Sequence, residues 1–159
     1  MPFVFVYGPD SLQARIYDRL GPSDVVGSAL LEGFALKFNK PHLKTDEGLA
    51  NIAAEAGAMT FGVLYDLTRK QIEMLDGYYG GYVREDHAVK LQPVPEGEEP
   101  PPAANRAPRG PISAAVYVAR RTKGSLKPSR DALQLTKKGA EENHAPAAFL
   151  EMLSKQEVR

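Results

Sequence analysis

The sequence predicts an α+β fold built on a mixed sheet or small barrel. Strand-like runs outnumber helical patterns, by about five to three. They gather in the middle of the chain instead of alternating with helices, which argues against a regular βαβ repeat. The chain is also rich enough in apolar residues to fill one core: 43% of its 159 residues are hydrophobic and 25% charged.

The elements follow in order. FVFVY, residues 3–7, is a run of aromatic and β-branched residues and reads as a buried strand. Gly8-Pro9-Asp10 is turn chemistry, and Asp10 or Ser11 is placed to cap a helix that Gly21 closes. A strand, a tight turn and a helix start in that order leave backbone N–H groups free for an anion. SALLEGFALKF (28–38) is strand material around Gly33, and KPHLKTDEG (40–48) is a polar loop. LANIAAEAG (49–57) is ambiguous, because alanine favours a helix in a segment that is short and ends in glycine. MTFGVLYDL (59–67) is a strand; in TRKQIEMLDG (68–77) Thr68 N-caps a helix, with Ile72 and Leu75 on one face. YVREDHAVKLQPV (82–94) and ISAAVYVARR (112–121) are further strands. The connector TKGSLKPS leads to a last helix over 129–155, broken near Pro146.

Two stretches stand apart. Residues 92–111 hold seven of the 13 prolines and several carboxylates, and read as an exposed, mobile, passive loop between strands. GYYGGY, residues 77–82, packs three glycines and three tyrosines into the seam between a helix and a strand. Glycine relaxes the backbone there, and tyrosine supplies apolar rings with polar tips, which suits either a turn or a ligand-binding rim.

Composition excludes whole classes. Lys plus Arg and Asp plus Glu are 20 each, so no net field draws in nucleic acid or an anionic membrane. No apolar run approaches the ~18 residues of a membrane span, and MPFVFVYGPD lacks the basic start and long apolar core of a signal peptide. A cytoplasmic protein is expected. Cysteine is absent, which removes disulfides, thiol nucleophiles and cysteine metal sites. His42, His87 and His144 are scattered without metal-ligand spacing, so no metal is expected. Gly77, Gly80 and Gly81 follow a helix instead of opening one, and a dinucleotide loop fails on that context.

The series VFVYG (4–8), EGFALKF (32–38), GLANI (48–52), FGVLYDL (61–67), LD (75–76), YVRE (82–85), VYVA (116–119) and KKGAEENHAPAAFLEML (137–153) resembles the γ-glutamylcyclotransferase-like superfamily. That superfamily includes amine-type cyclotransferases and plant AIG2-like proteins. The resemblance implies one domain over 1–159, a compact mixed β-barrel with flanking helices, and a cavity beside the first strand–turn–helix junction. It implies a small ligand of amide or amino-acid character and no cofactor. In the family the α-amine of a γ-glutamyl group attacks its own γ-carbonyl and releases an amine plus 5-oxoproline. Such chemistry needs N–H donors for a carboxylate or oxyanion, a pocket that folds the substrate on itself, and a general base.

The resemblance implies Tyr7, Gly8, Pro9, Ser11, Leu12 and Tyr82 as the substrate-binding set. It places Tyr79, followed by Gly80, where the family motif L-D-x-x-E-G carries its glutamate base. A phenol of ordinary pKa near ~10 is a poor base at neutral pH. Pro9 deletes an N–H from the loop, and Asp10 puts a negative charge where a substrate carboxylate is expected, which repels it unless a cation intervenes. Asp10 is the replacement acid–base candidate. A tyrosine the family often carries ahead of its last G-A-x-E segment is Ala132 here. Glu85 and Asp86 alternate across the strand, and Arg84 shares a face with Asp86 as a pairing partner or a contact for a substrate carboxylate. Two functions follow: a cyclotransferase-like enzyme with an atypical base, or a non-catalytic relative that binds a small molecule or a protein partner through the old cavity.

Overall fold

The computed structural model describes residues 3–159; the first two residues of the expected domain lie outside the described residues. Five strands close into a barrel in the order β1 (Phe3–Tyr7), β3 (Gly48–Asp66), β2 (Asp24–Pro41), β4 (Tyr82–Leu91) and β5 (Ile112–Ala119). Neighbours are antiparallel except where β5 meets β1 in parallel, Val4 opposite Ala115 and Phe5 opposite Val116. Four helices flank it: α1 (Gln13–Leu20), α2 (Arg69–Asp76), α3 (Arg130–Glu142) and α4 (Ala147–Ser154). The expected mixed β-barrel with helices is the observed one. The long final helix divides in two around Pro146, as expected.

β1 shows why its sequence lacks polar alternation. All five residues are buried, because both faces of the strand are covered. Phe3, Phe5 and Tyr7 point into the main core with Phe38, Phe61, Leu64 and Val116. Val4 and Val6 point the other way, against Ile16 and Leu20 of α1 and Leu75 of α2. The first strand therefore fixes both the barrel interior and the helices beside the first turn.

LANIAAEAG is strand, the first part of β3. Ladder pairing with β2 (Leu36 opposite Ile52, Lys37 opposite Asn51) outweighs the helical preference of its alanines. The register shifts between Glu32 and Phe34, where Gly33 and Gly57 take positive φ and the β3 side bulges. Thr68 caps α2 as expected, within a capping box closed by Gln71. Neither Asp10 nor Ser11 caps α1: both lie in a 3-10 turn (Gly8–Ser11), and Leu12 at the N-cap makes no side-chain cap. The Pro-rich segment is exposed over most of its length but pinned at two points. Ala103 is buried in a 3-10 turn (Pro102–Arg106), and Arg106 bridges Asp24 and Asp66 at 2.6 and 3.1 Å.

α3 is held against the first turn by two residues. Asn143, at its C-cap, donates to Ser11 O at 2.8 Å and accepts from Gln13 Nε2 at 2.8 Å. Gly139 lets the backbones touch: a Cβ there would lie 2.3 Å from Ser11 Oγ and 2.6 Å from Leu12 N. Alanine is the better helix former by about 1 kcal/mol, yet Gly139→Ala is expected to destabilise the protein by about 1–3 kcal/mol through overpacking. Urea unfolding measures this, and a variant as stable as the parent would refute the close approach.

Candidate functional site

The 3-10 turn carries Asp10 inward, so its carboxylate is almost fully buried. α1 then places Arg15 and Arg19 beside it. Arg15 Nε lies 3.1 Å from Oδ1 and Arg19 Nη1 lies 2.7 Å from Oδ2. The tyrosine seam supplies the third partner, because Tyr79 Oη donates to Oδ2 at 2.5 Å. The cations that would have to intervene near Asp10 are therefore present. They were missed in the sequence because five- and nine-residue spacings cross the boundary between a turn and a helix.

The rings of the seam are fixed by aromatic and polar contacts. Tyr79 stacks on Tyr117, centroids 4.1 Å apart and planes within 10°, and meets Tyr82 edge-on at 5.0 Å. Tyr82 Oη donates to Ala50 O at 2.6 Å, and Tyr7 Oη donates to Tyr117 O at 2.5 Å. Tyr117 Oη donates to Asp76 Oδ1 at 2.6 Å. Arg84 pairs with Asp76 at 3.0 Å, so its expected pairing with Asp86 is corrected: α2 ends within reach of the strand and offers the better-placed carboxylate. Outside the seam's hydrogen bonds, Arg19 lies over the Tyr78 ring at 4.7 Å and Lys40 Nζ over the Tyr82 ring at 5.1 Å.

These groups wall a hollow of about 140 Å³ at the start of α1. Of the residues expected to meet a ligand, Tyr7, Pro9, Asp10, Tyr79 and Tyr82 line it, joined by Arg15, Arg19 and Tyr78. Gly8, Ser11 and Leu12 do not. Gly8 takes φ +67 with no room for a side chain beside Ala50, Ser11 Oγ donates to Gly8 O, and Leu12 starts the helix. The N–H groups expected to cradle an anion are also partly used: Gln13 N donates to the Glu142 carboxylate at 3.1 Å. The three histidines sit apart, each beside its own glutamate: His42 with Glu47, His87 with Glu85 and His144 with Glu98. No helix among the described residues is long and apolar enough to cross a membrane.

Burial is the first cause of the tyrosines' electrostatics. It pushes the Tyr79 phenol well above its ordinary value, and the Asp10 charge and hydrogen bond push it further; Arg19 works the other way. Tyr7 is raised well above its ordinary value by burial, then by Tyr82, Asp10 and Glu85. Tyr65, Tyr82 and Tyr117 are raised chiefly by burial as well. A phenol with a raised folded-state pKa holds its proton more tightly when folded. Its stabilisation is complete below the ordinary pKa of ~10 and is lost as pH rises above it. In an alkaline titration, phenolate absorbance from these five tyrosines should appear only together with loss of the circular-dichroism signal. Ionisation of all seven tyrosines in the folded protein would contradict this.

No protein-family model and no curated protein sequence matches the chain. Solved structures do. A γ-glutamyl cyclotransferase superposes with a TM-score of 0.81 at 24% identity, covering 99% of this chain and 88% of that one. An uncharacterised protein from Homo sapiens gives 0.80 at 25% identity with the same coverages of 99% and 88%. An AIG2-like protein from Mus musculus gives 0.54 at 17% identity, covering 78% of this chain and 80% of that one. The closed five-stranded barrel, its helices and the hollow at its first turn are thus set in the fold of the γ-glutamyl cyclotransferase and AIG2-like structures.

Proposed function

We propose that the protein binds a small ligand of amino-acid or amide character, of the γ-glutamyl type, in the hollow at the start of α1, and does not turn it over by the cyclotransferase route. One observation carries this reading: Tyr79 donates its proton to Asp10, whose carboxylate also accepts from Arg15 and Arg19. Cyclisation of a γ-glutamyl group needs a base free to take the ammonium proton and hand it to the leaving amine. The sequence resemblance assigns Tyr79 to the position of that base, and its phenol holds its own proton tightly. Asp10 is already occupied by three donors. The two candidates for the base are spent on each other.

The same groups suit binding. Two guanidiniums face one carboxylate, which leaves a net positive charge in the wall. Lys40 adds another over the Tyr82 ring. A ligand carboxylate is favoured in such a field, and the tyrosine rings offer apolar surface to the rest of the molecule.

A second reading rests on the 2.5 Å contact between Tyr79 and Asp10. In it, the substrate ammonium passes a proton to Tyr79 Oη while Tyr79 passes its own to Asp10. The freed amine attacks the γ-carbonyl, the relay returns its proton to the amide nitrogen as the bond to the leaving amine breaks, and the second proton shed by the new ring nitrogen passes to the released amine, which departs as an ammonium. The two guanidiniums oppose it, because both oxygens of Asp10 already accept hydrogen bonds from them.

Calorimetry with γ-glutamyl amines, γ-glutamyl amino acids and glutathione, alongside mass spectrometry for 5-oxoproline, separates the readings. Binding of at least one compound without 5-oxoproline is the expected result. Product formation that Tyr79→Phe abolishes would establish the relay instead, and failure of every compound to bind would remove the ligand reading.

A further inference from the structure

Asp10 is the meeting point of donors from separate parts of the chain. Arg15 and Arg19 reach it from α1 and Tyr79 from the turn before β4, at 3.1, 2.7 and 2.5 Å. Two guanidiniums and a phenol converging on one spot are a donor set suited to the carboxylate of a ligand. Neither arginine has another carboxylate partner among the described residues. Both stay partly open to solvent, at 33% and 20% side-chain exposure, so the spot lies at the wall of the hollow and not in the sealed core.

We infer that Arg15, Arg19 and Tyr79 form a carboxylate-binding site and that Asp10 is its tethered occupant. The inference deepens the proposed function and rests on the hollow being the ligand site. A tether gives Asp10 an effective concentration in the millimolar range or above, so a free acid offering only a carboxylate loses the competition. An acid that also packs against Tyr7, Leu49, Ala50 and Tyr82 makes contacts that Asp10 does not, and can take the donors from it. Asp10 thereby sets specificity, holding the donors in place between ligands and rejecting small acids such as acetate.

The test is Asp10→Ala in the full chain. Thermal unfolding is followed in acetate and in its neutral analogue acetamide, at matched ionic strength. Acetate should raise Tm of the variant saturably by several degrees, acetamide should not, and the wild-type protein should respond to neither. The acetate effect should vanish in Asp10→Ala/Arg19→Ala. No acetate-specific rise in Asp10→Ala, an equal rise in the wild type, or a rise that survives loss of Arg19 would each overturn the inference. If Asp10→Ala does not fold alone, refolding in the two solutes asks the same question: recovery in acetate only supports the site, and recovery in both or neither overturns it. Acetate rescue of the variant with no γ-glutamyl compound bound by the wild type would support this site and overturn the proposed function. Wild-type binding without rescue would do the reverse.

Discussion

The carboxylate of Asp10 is the constraint around which the first turn, α1 and the tyrosine seam are arranged. It is buried, and a buried charge is tolerated only when it is paired and hydrogen-bonded. Arg15, Arg19 and Tyr79 meet that requirement from two directions, tying α1 to the turn between α2 and β4. Tyr79 in turn stacks on Tyr117, whose hydroxyl binds Asp76 at the end of α2. Two carboxylates and a stacked pair of rings thus join β5, α2 and the first turn in one connected network.

A common pattern runs through this end of the barrel: positions chemically suited to an anion are held by the protein's own carboxylates. Asp10 sits on the arginine pair, and Glu142 accepts from the first N–H of α1. The second contact depends on α3 lying close, which Gly139 permits and Asn143 fastens. The helix at the far end of the sequence therefore completes the environment of the first turn. A site whose acceptors and donors are already matched internally has a different character from one with a free base, and this is why binding is the reading favoured over turnover.

Much of the fold was legible from the sequence because its signals are local. FVFVY, Thr68 and Pro146 each state a strand, a cap and a break through nearest neighbours. LANIAAEAG was not legible, since its strand state comes from pairing with a separate strand, as of Ala53 with Ala35. At the site, Tyr79 and Asp10 were singled out by a sequence resemblance that reads them as departures from a family motif, but their mutual hydrogen bond spans 69 positions and left no trace in spacing. Arg15 and Arg19 went unremarked in the sequence for the same reason. Gly8, Ser11 and Leu12 were expected at the ligand surface because the resemblance assigns the loop after Tyr7 to substrate, whereas the tight 3-10 turn directs only Pro9 and Asp10 to it.

The bond between Tyr79 and Asp10 is open to direct measurement by a double-mutant cycle. The stabilities of the wild type, Tyr79→Phe, Asp10→Asn and the double variant are read from urea unfolding. A hydrogen bond to a buried charge predicts a coupling of about 1.5–3 kcal/mol. Additive effects, with a coupling within about 0.5 kcal/mol of zero, would mean that Tyr79 does not hold Asp10, and that its hydroxyl is free for other chemistry.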